Sequence, residues 1–238
     1  MRVRIRFEKT GIMRYVGHLD LMRFFQKAVK RAGLPIRYSE GFNPHQIMSF
    51  AAPLGVGLTS SGEYMDIDLK DEIASDNGIA SLNENMVEGL AITSFKYLPE
   101  DAEKCMSAVT AASYIVTYKD SKDDACYIDN ICDLKEKFFD EAACINIVKK
   151  TKKGERELDL KPLIYRFNID VKDGVPIYDL LLSSGSSDNI KPELVIKAFH
   201  DYLGLPEFDE LSLDIHRVDM YTGEPDSFVS LGDIGDEH

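Results

Sequence analysis

Two stretches near the start of the chain bring together the side chains best suited to recognising another molecule. The first is Gly41-Phe42-Asn43-Pro44-His45. Gly41 permits a positive φ, and Pro44 fixes its own φ and restricts Asn43 before it. Phe42 offers a ring for stacking if it is exposed, and His45 can donate or accept a hydrogen bond. The same residues also suit a plain tight connection, with Phe42 in the core and Asn43 bonded to its own backbone. The second stretch is a row of cations, Arg23, Lys27 and Lys30 with Arg31 beside them, at helical spacing. Asp20 is the one acid near enough to neutralise them. Such a row is either a solvated helix face or a surface for an anion. Phosphate suits it, whereas base-specific readout does not follow. Arg37, between the two stretches, adds another cation.

Further groups admit both a chemical and a plain reading. Asp20 in a first helical turn favours the helix dipole without any function. His18 could approach His45 across a sheet, but a metal or acid–base pair of two histidines lacks a third ligand. His200 and His216 read as partly buried structural histidines. In the small-residue loop Ser183 to Pro192, Asp188 or Asn189 suits an N-cap and Pro192 a first helical turn. The four cysteines (Cys105, Cys126, Cys132, Cys144) show neither CxxC nor CxxxCxxC spacing and read as small packed hydrophobes. No P-loop, dinucleotide fingerprint, HExxH or nucleophile elbow is present. No catalytic residue, metal or cofactor is therefore assigned.

The elements that must position these groups follow from periodicity. Residues 2–8 alternate, with Val3, Ile5 and Phe7 on one face and Arg2, Arg4 and Arg6 projecting outward on the other. Residues 18–32 place Leu21, Met22, Phe25, Ala28, Val29 and Ala32 on a helical stripe, closed by Gly33. Extended segments at 35–39 and 46–51 flank the Gly41–His45 turn. A strand at 62–69, a helix at 79–90 and a strand at 91–98 complete a βαββαβ order. The order recurs with strands at 113–119, 144–150, 164–171 and 211–219 and helices at 129–139 and 192–203, plus extra strands near 157–160 and 176–182. The expected fold is α+β, tandem ferredoxin-like (βαββαβ) units with antiparallel sheets. Units of 1–98 and 111–221 are followed by 222–238, which holds five acids and no Lys or Arg and reads as a flexible, frayed tail.

Charge distribution points to the first fifty residues as the functional region. The first fifty residues carry ten Lys/Arg against three Asp/Glu, whereas the whole chain of 238 has a net charge of −13. That asymmetry suggests a surface for an anionic partner on an acidic body. Apolar content of 44% and charged content of 29% are those of an ordinary soluble protein. No apolar run approaches the roughly 18 residues of a membrane span, and the alternating start is unlike a signal peptide. The expectation is a cytoplasmic protein with no membrane partner.

Several motifs together resemble a known family. They are Arg14-Tyr15-Val16-Gly17-His18-Leu19-Asp20-Leu21-Met22-Arg23, Gly33-Leu34-Pro35, Gly41-Phe42-Asn43-Pro44-His45, Pro53-Leu54-Gly55-Val56-Gly57 and Gly62-Glu63-Tyr64-Met65-Asp66. Later echoes are Glu157 to Leu163 and the Gly185 to Pro192 loop. The chain is similar to the bacterial radical SAM-linked (radical SAM-associated) proteins, a family of unknown function. Members occur fused to, or encoded beside, a radical SAM protein with a cobalamin-binding-type domain. Gln46 departs from the pattern, in which a proline follows the histidine. The resemblance implies a radical SAM partner but no activity of this chain, and the CxxxCxxC of a radical SAM cluster is missing from it. The expected function is a non-catalytic accessory module presenting a substrate, RNA being the candidate, to a radical SAM enzyme. Its binding residues would be His18, Asp20, Arg23, Lys27, Lys30, Arg37 and Gly41 to His45. Alternatives are a protein–protein adaptor without nucleic-acid binding, or a metal-independent endoribonuclease using His18 or His45. The last rests on a fold-level analogy to CRISPR repeat-processing enzymes.

Overall fold

A computed structural model describes the chain except for residues 120–127, 129, 152–153, 186–188 and 206–208. Cys126 and the candidate cap Asp188 lie outside the described residues. The chain is a mixed α+β protein with a largely antiparallel, multi-stranded sheet. It divides into two units, Met1–Thr110 with Arg217–His238, and Ala111–His216.

In the first unit, alternation along β1 (Arg2–Lys9) turns Val3, Ile5 and Phe7 into the core, where all three are fully buried. Helix α1 (His18–Arg31) covers that face with Leu21, Phe25, Ala28 and Val29, and the Phe25 ring lies 4.7 Å from that of Phe7. Then come β2 (Met48–Phe50), β3 (Thr59–Asp68), α2 (Ser75–Asn83) and β4 (Leu90–Tyr97). The strands lie in the order β4-β1-β3-β2, each antiparallel to its neighbour. Helix α2 starts four residues before the expected 79 and stops at Asn83. Two contacts explain the shift. Gly78 reads as a breaker, yet it is needed inside the helix because a Cβ there would sit 2.8 Å from the Phe95 ring. The Asn83 side chain donates to the Ile92 carbonyl (2.9 Å) and accepts from its N–H (2.8 Å), turning the chain into β4.

A short helix, α3 (Cys105–Ala108), packs on the other face of this sheet and buries Cys105. Burial pushes that thiol up to about 12, which makes it inert. Cys132 and Cys144 are exposed rather than packed.

The second unit opens with β5 (Ala111–Tyr118) and α4 (Ile131–Lys135). The segment expected as its second strand instead forms β6 (Asn146–Thr151), which among the described residues pairs only with β7 (Gly154–Asp159), in a separate two-stranded sheet. The sequence Lys149-Lys150-Thr151-Lys152-Lys153-Gly154-Glu155-Arg156-Glu157 lacks the alternating apolar residues a buried sheet position demands. The sheet positions go to β8 (Ile164–Lys172) and β9 (Val175–Ser183), the latter with Tyr178, Leu180 and Leu182 fully buried. Helix α5 (Pro192–Tyr202) has Pro192 in its first turn as expected, but its N-cap is Lys191, with no side-chain cap bond. Phe199 of α5 packs edge-on against Phe167 of β8 at 5.4 Å. His200 is buried and its Nε2 is 2.6 Å from the Tyr118 hydroxyl, a structural histidine.

The last long strand, β10 (Leu213–Thr222), begins in the second unit and ends in the first. The acidic stretch 222–238 is held to the first unit rather than left as a frayed tail. Strand β11 (Val229–Ser230) pairs with β10, and Asp236 and Tyr97 exchange backbone bonds of 2.8 and 3.0 Å. Leu231 is fully buried, which contributes about 1.5–3 kcal/mol. Composition hides this because the attachment uses backbone groups, the polar side chains of Ser230 and His238, and few apolar residues.

Candidate nucleic-acid interface

The Gly41–His45 turn caps a short hairpin. Its sides meet through the bridge Tyr38–Gln46 and through bonds from Ser39 N–H to the His45 carbonyl (2.8 Å) and from Ile47 N–H to the Arg37 carbonyl (2.9 Å). The Ser39 hydroxyl accepts from the His45 N–H (3.1 Å) and bonds its ring Nδ1 (2.8 Å), which fixes the imidazole at the base of the turn. Gly41 has φ +116°, a conformation side chains disfavour. Phe42 is not in the core: its ring is fully exposed, at 107% of the reference area. Asn43, Pro44 and His45 are exposed beside it, as are Arg37 and Tyr38. Gln46, where the resemblance led to an expectation of proline, is buried and donates its amide to the Gln26 carbonyl of α1 (3.1 Å). The departure therefore pins the hairpin to the helix.

On α1 the apolar stripe faces the sheet and leaves Arg23, Lys27, Lys30 and Arg31 exposed. Arg23 reaches Asp20 at 3.2 Å with both side chains 71% exposed, a pair worth only a few tenths of a kcal/mol. The β1 arginines are different. Arg4 is buried and binds Asp66 through Nε (2.9 Å) and a terminal nitrogen (3.1 Å), and it also reaches the Glu103 carbonyl (3.0 Å). Arg2 lies 3.7 Å from Asp68, and Arg6 lies 3.9 Å from Asp219. The arginines that alternation sends outward are thus matched by aspartates on the same side of the sheet.

His18 and His45 do not come together. The His18 ring packs edge-on against Phe50 at 5.6 Å, whereas His45 is held by Ser39. Burial lowers the His18 pKa, opposed by Glu63 and reinforced by Lys9. Among the described residues no group of three or more His, Cys, Asp or Glu is placed to hold a metal. Sequence reasoning missed the charges near His18. Lys9 is 1% exposed at the inward end of β1, and burial lowers its ammonium pKa. Buried Glu63 accepts two bonds from Arg217, at 2.8 and 2.6 Å, and Arg217 also donates to the Ala52 carbonyl (2.8 Å). A signal existed for Lys9, since it continues the inward series Val3, Ile5, Phe7. None existed for Arg217, which lies 154 residues from its partner.

Among the described residues no helix is long and apolar enough to cross a membrane. No curated protein matches the chain. Among solved structures, a chain of a Cbf5-Nop10-Gar1 complex is similar at 9% identity and a TM-score of 0.46. The match covers 92% of this chain and 48% of that one, so this chain spans about half its length. A family model for an uncharacterized protein conserved in bacteria matches residues 2–192. The chain belongs to that bacterial family, DUF2344.

Proposed function

We propose that the chain is a non-catalytic accessory module that binds single-stranded RNA and presents it to a cytoplasmic radical SAM enzyme. The observation that carries the RNA half is the fully exposed Phe42 ring in the same unit as the exposed cations of α1. Single-strand binders combine these two devices, a stacking platform for bases and positive charge for the backbone. The enzyme half rests on the family resemblance and on the missing CxxxCxxC, which leaves the cluster to a partner. We take each unit as one ferredoxin-like βαββαβ element. The order β4-β1-β3-β2 in the first and β10-β5-β9-β8 in the second support this, since in both the opening strand lies between the last and the third.

The test is a salt titration of labelled single-stranded RNA. The wild-type chain binds with log affinity falling linearly in log salt, and the joint change Arg23→Ala, Lys27→Ala, Lys30→Ala flattens that slope by about 2 units. Co-purification with the radical SAM protein tests the other half. Failure to bind RNA at low salt, alone or with that protein, overturns the reading, and RNA cleavage by the chain alone would select the endoribonuclease instead.

One observation favours the adaptor reading as the second choice. Ile12, Tyr15, Leu19 and Val56 are all more than 60% exposed. The Gly57 N–H bonds the Arg14 carbonyl at 2.8 Å, which brings the Val56 loop beside the segment carrying Tyr15. A partner complex with no RNA affinity would support it.

A further inference from the structure

Resting on the RNA-binding reading, a second feature of the same unit bears on which base is held. Between the hairpin and the outer face of the sheet lies a groove of about 190 Å³ lined by Arg2, His45, Ser49, Asp66, Asp68 and Lys104. It is below the roughly 300–1,000 Å³ of a drug-sized pocket and on the scale of one planar heterocycle. Arg2 and Asp68 also form part of the wall of a second groove of about 510 Å³ that includes Tyr97, Pro99 and Glu100.

The two carboxylates in the small groove differ. Asp66 is saturated by the Arg4 guanidinium and by the Cys105 N–H at 2.7 Å. Asp68 is about three-quarters buried, yet its carboxylate accepts no hydrogen bond among the described residues. Arg2, its nearest cation, stays 3.7 Å away and donates instead to the Ala102 carbonyl (2.9 Å). A largely buried carboxylate without hydrogen-bond donors gains from a ligand that supplies two. Arg2 and Lys104 beside it disfavour a cationic ligand and can donate to a carbonyl.

We propose that this groove holds a guanine base, with Asp68 accepting from N1–H and the N2 amino group and a flanking cation donating to O6. Guanine is the one common base whose Watson–Crick edge sets two adjacent donors beside a carbonyl. Adenine and cytosine offer one amino donor next to a ring-nitrogen lone pair, which repels a carboxylate. Uracil offers one N–H between two carbonyls.

The experiment measures binding of ten-nucleotide oligouridylates carrying one central guanosine, inosine or adenosine, with GMP as a competitor. The expected order is guanosine above inosine, which lacks the N2 amino group, above adenosine, with about 5- to 100-fold between the extremes. Asp68→Asn removes that preference, so that strands carrying guanosine, inosine and adenosine bind alike. The inosine comparison needs no variant, so it decides even if Asp68→Asn fails to fold. Competition by GMP shows that the free nucleotide suffices, and absence of competition alongside a guanosine preference shows that the strand is required. Both support the groove. RNA binding without a guanosine preference, or a preference that survives in a folded Asp68→Asn protein, overturns the guanine assignment and leaves the RNA reading standing. GMP binding without RNA binding overturns the RNA reading and leaves the groove. No binding of either overturns both.

Discussion

The arginines of β1 and the cations of α1 are drawn from the same fifty residues, yet the fold treats them in opposite ways. Arg2, Arg4 and Arg6 stand over a sheet face that α3 covers, and each has an aspartate within 4 Å. Arg23, Lys27, Lys30 and Arg31 lie on a helix face open to solvent. Positive charge in the sequence is therefore of two kinds, one set against internal aspartates and one open to solvent. Asp66 and Asp68 reach the β1 arginines through antiparallel register, and Asp219 reaches Arg6 from the far end of the chain.

The sharpest way to break this comparison is Arg4→Ala. Removing one partner of a buried pair leaves Asp66 uncompensated, so unfolding in urea should show a loss of about 3–5 kcal/mol. The triple alanine change on α1 should move the same measurement by no more than about 0.5 kcal/mol per substitution. A small effect for Arg4→Ala would mean that its charge, too, is dispensable to the fold.

Next in size is Phe42→Ala. Its fully exposed ring supports nothing in the fold, so stability should be unchanged, while RNA affinity falls by about 1–3 kcal/mol with little change in salt slope. A drop in stability would place the ring against the protein in solution and sink the stacking role.

The smallest effect concerns His18, which sits between the two regions. Burial lowers its folded-state pKa below the unfolded value near 6.5, so the unfolded chain binds the proton first. Stability is then full above about pH 6.5 and falls as pH drops toward the folded pKa, by no more than about 1.4 kcal/mol per pH unit. His18→Gln should flatten that part of the profile. An unchanged profile would mean that the imidazole is solvated.

Local elements were the most legible part of the sequence, because each is governed by neighbours in the chain. The alternation of Val3, Ile5 and Phe7, the stripe through Leu21, Phe25 and Val29, and the Gly33 stop all describe one strand or one helix. The candidate site was half legible. The residue types at Gly41 to His45 announced a binding loop or a tight turn, and only the fold shows Phe42 outside the core. Likewise, Gln46 was legible only as a departure from the expected proline, and its bond to the Gln26 carbonyl depends on the fold.

By itself the sequence determined the order of most elements, the cationic face of α1 and the absence of a cluster motif, all properties of spacing within a few residues. Tertiary structure alone decided which charges remain free. It also decided that Glu63 would meet Arg217, that β6 and β7 would leave the main sheet, and that the acidic end would be tied to β4 and β10. Each of these depends on a partner distant in sequence. Such a pairing is set by register and by the need to satisfy buried polar groups, and neither leaves a local periodicity to read.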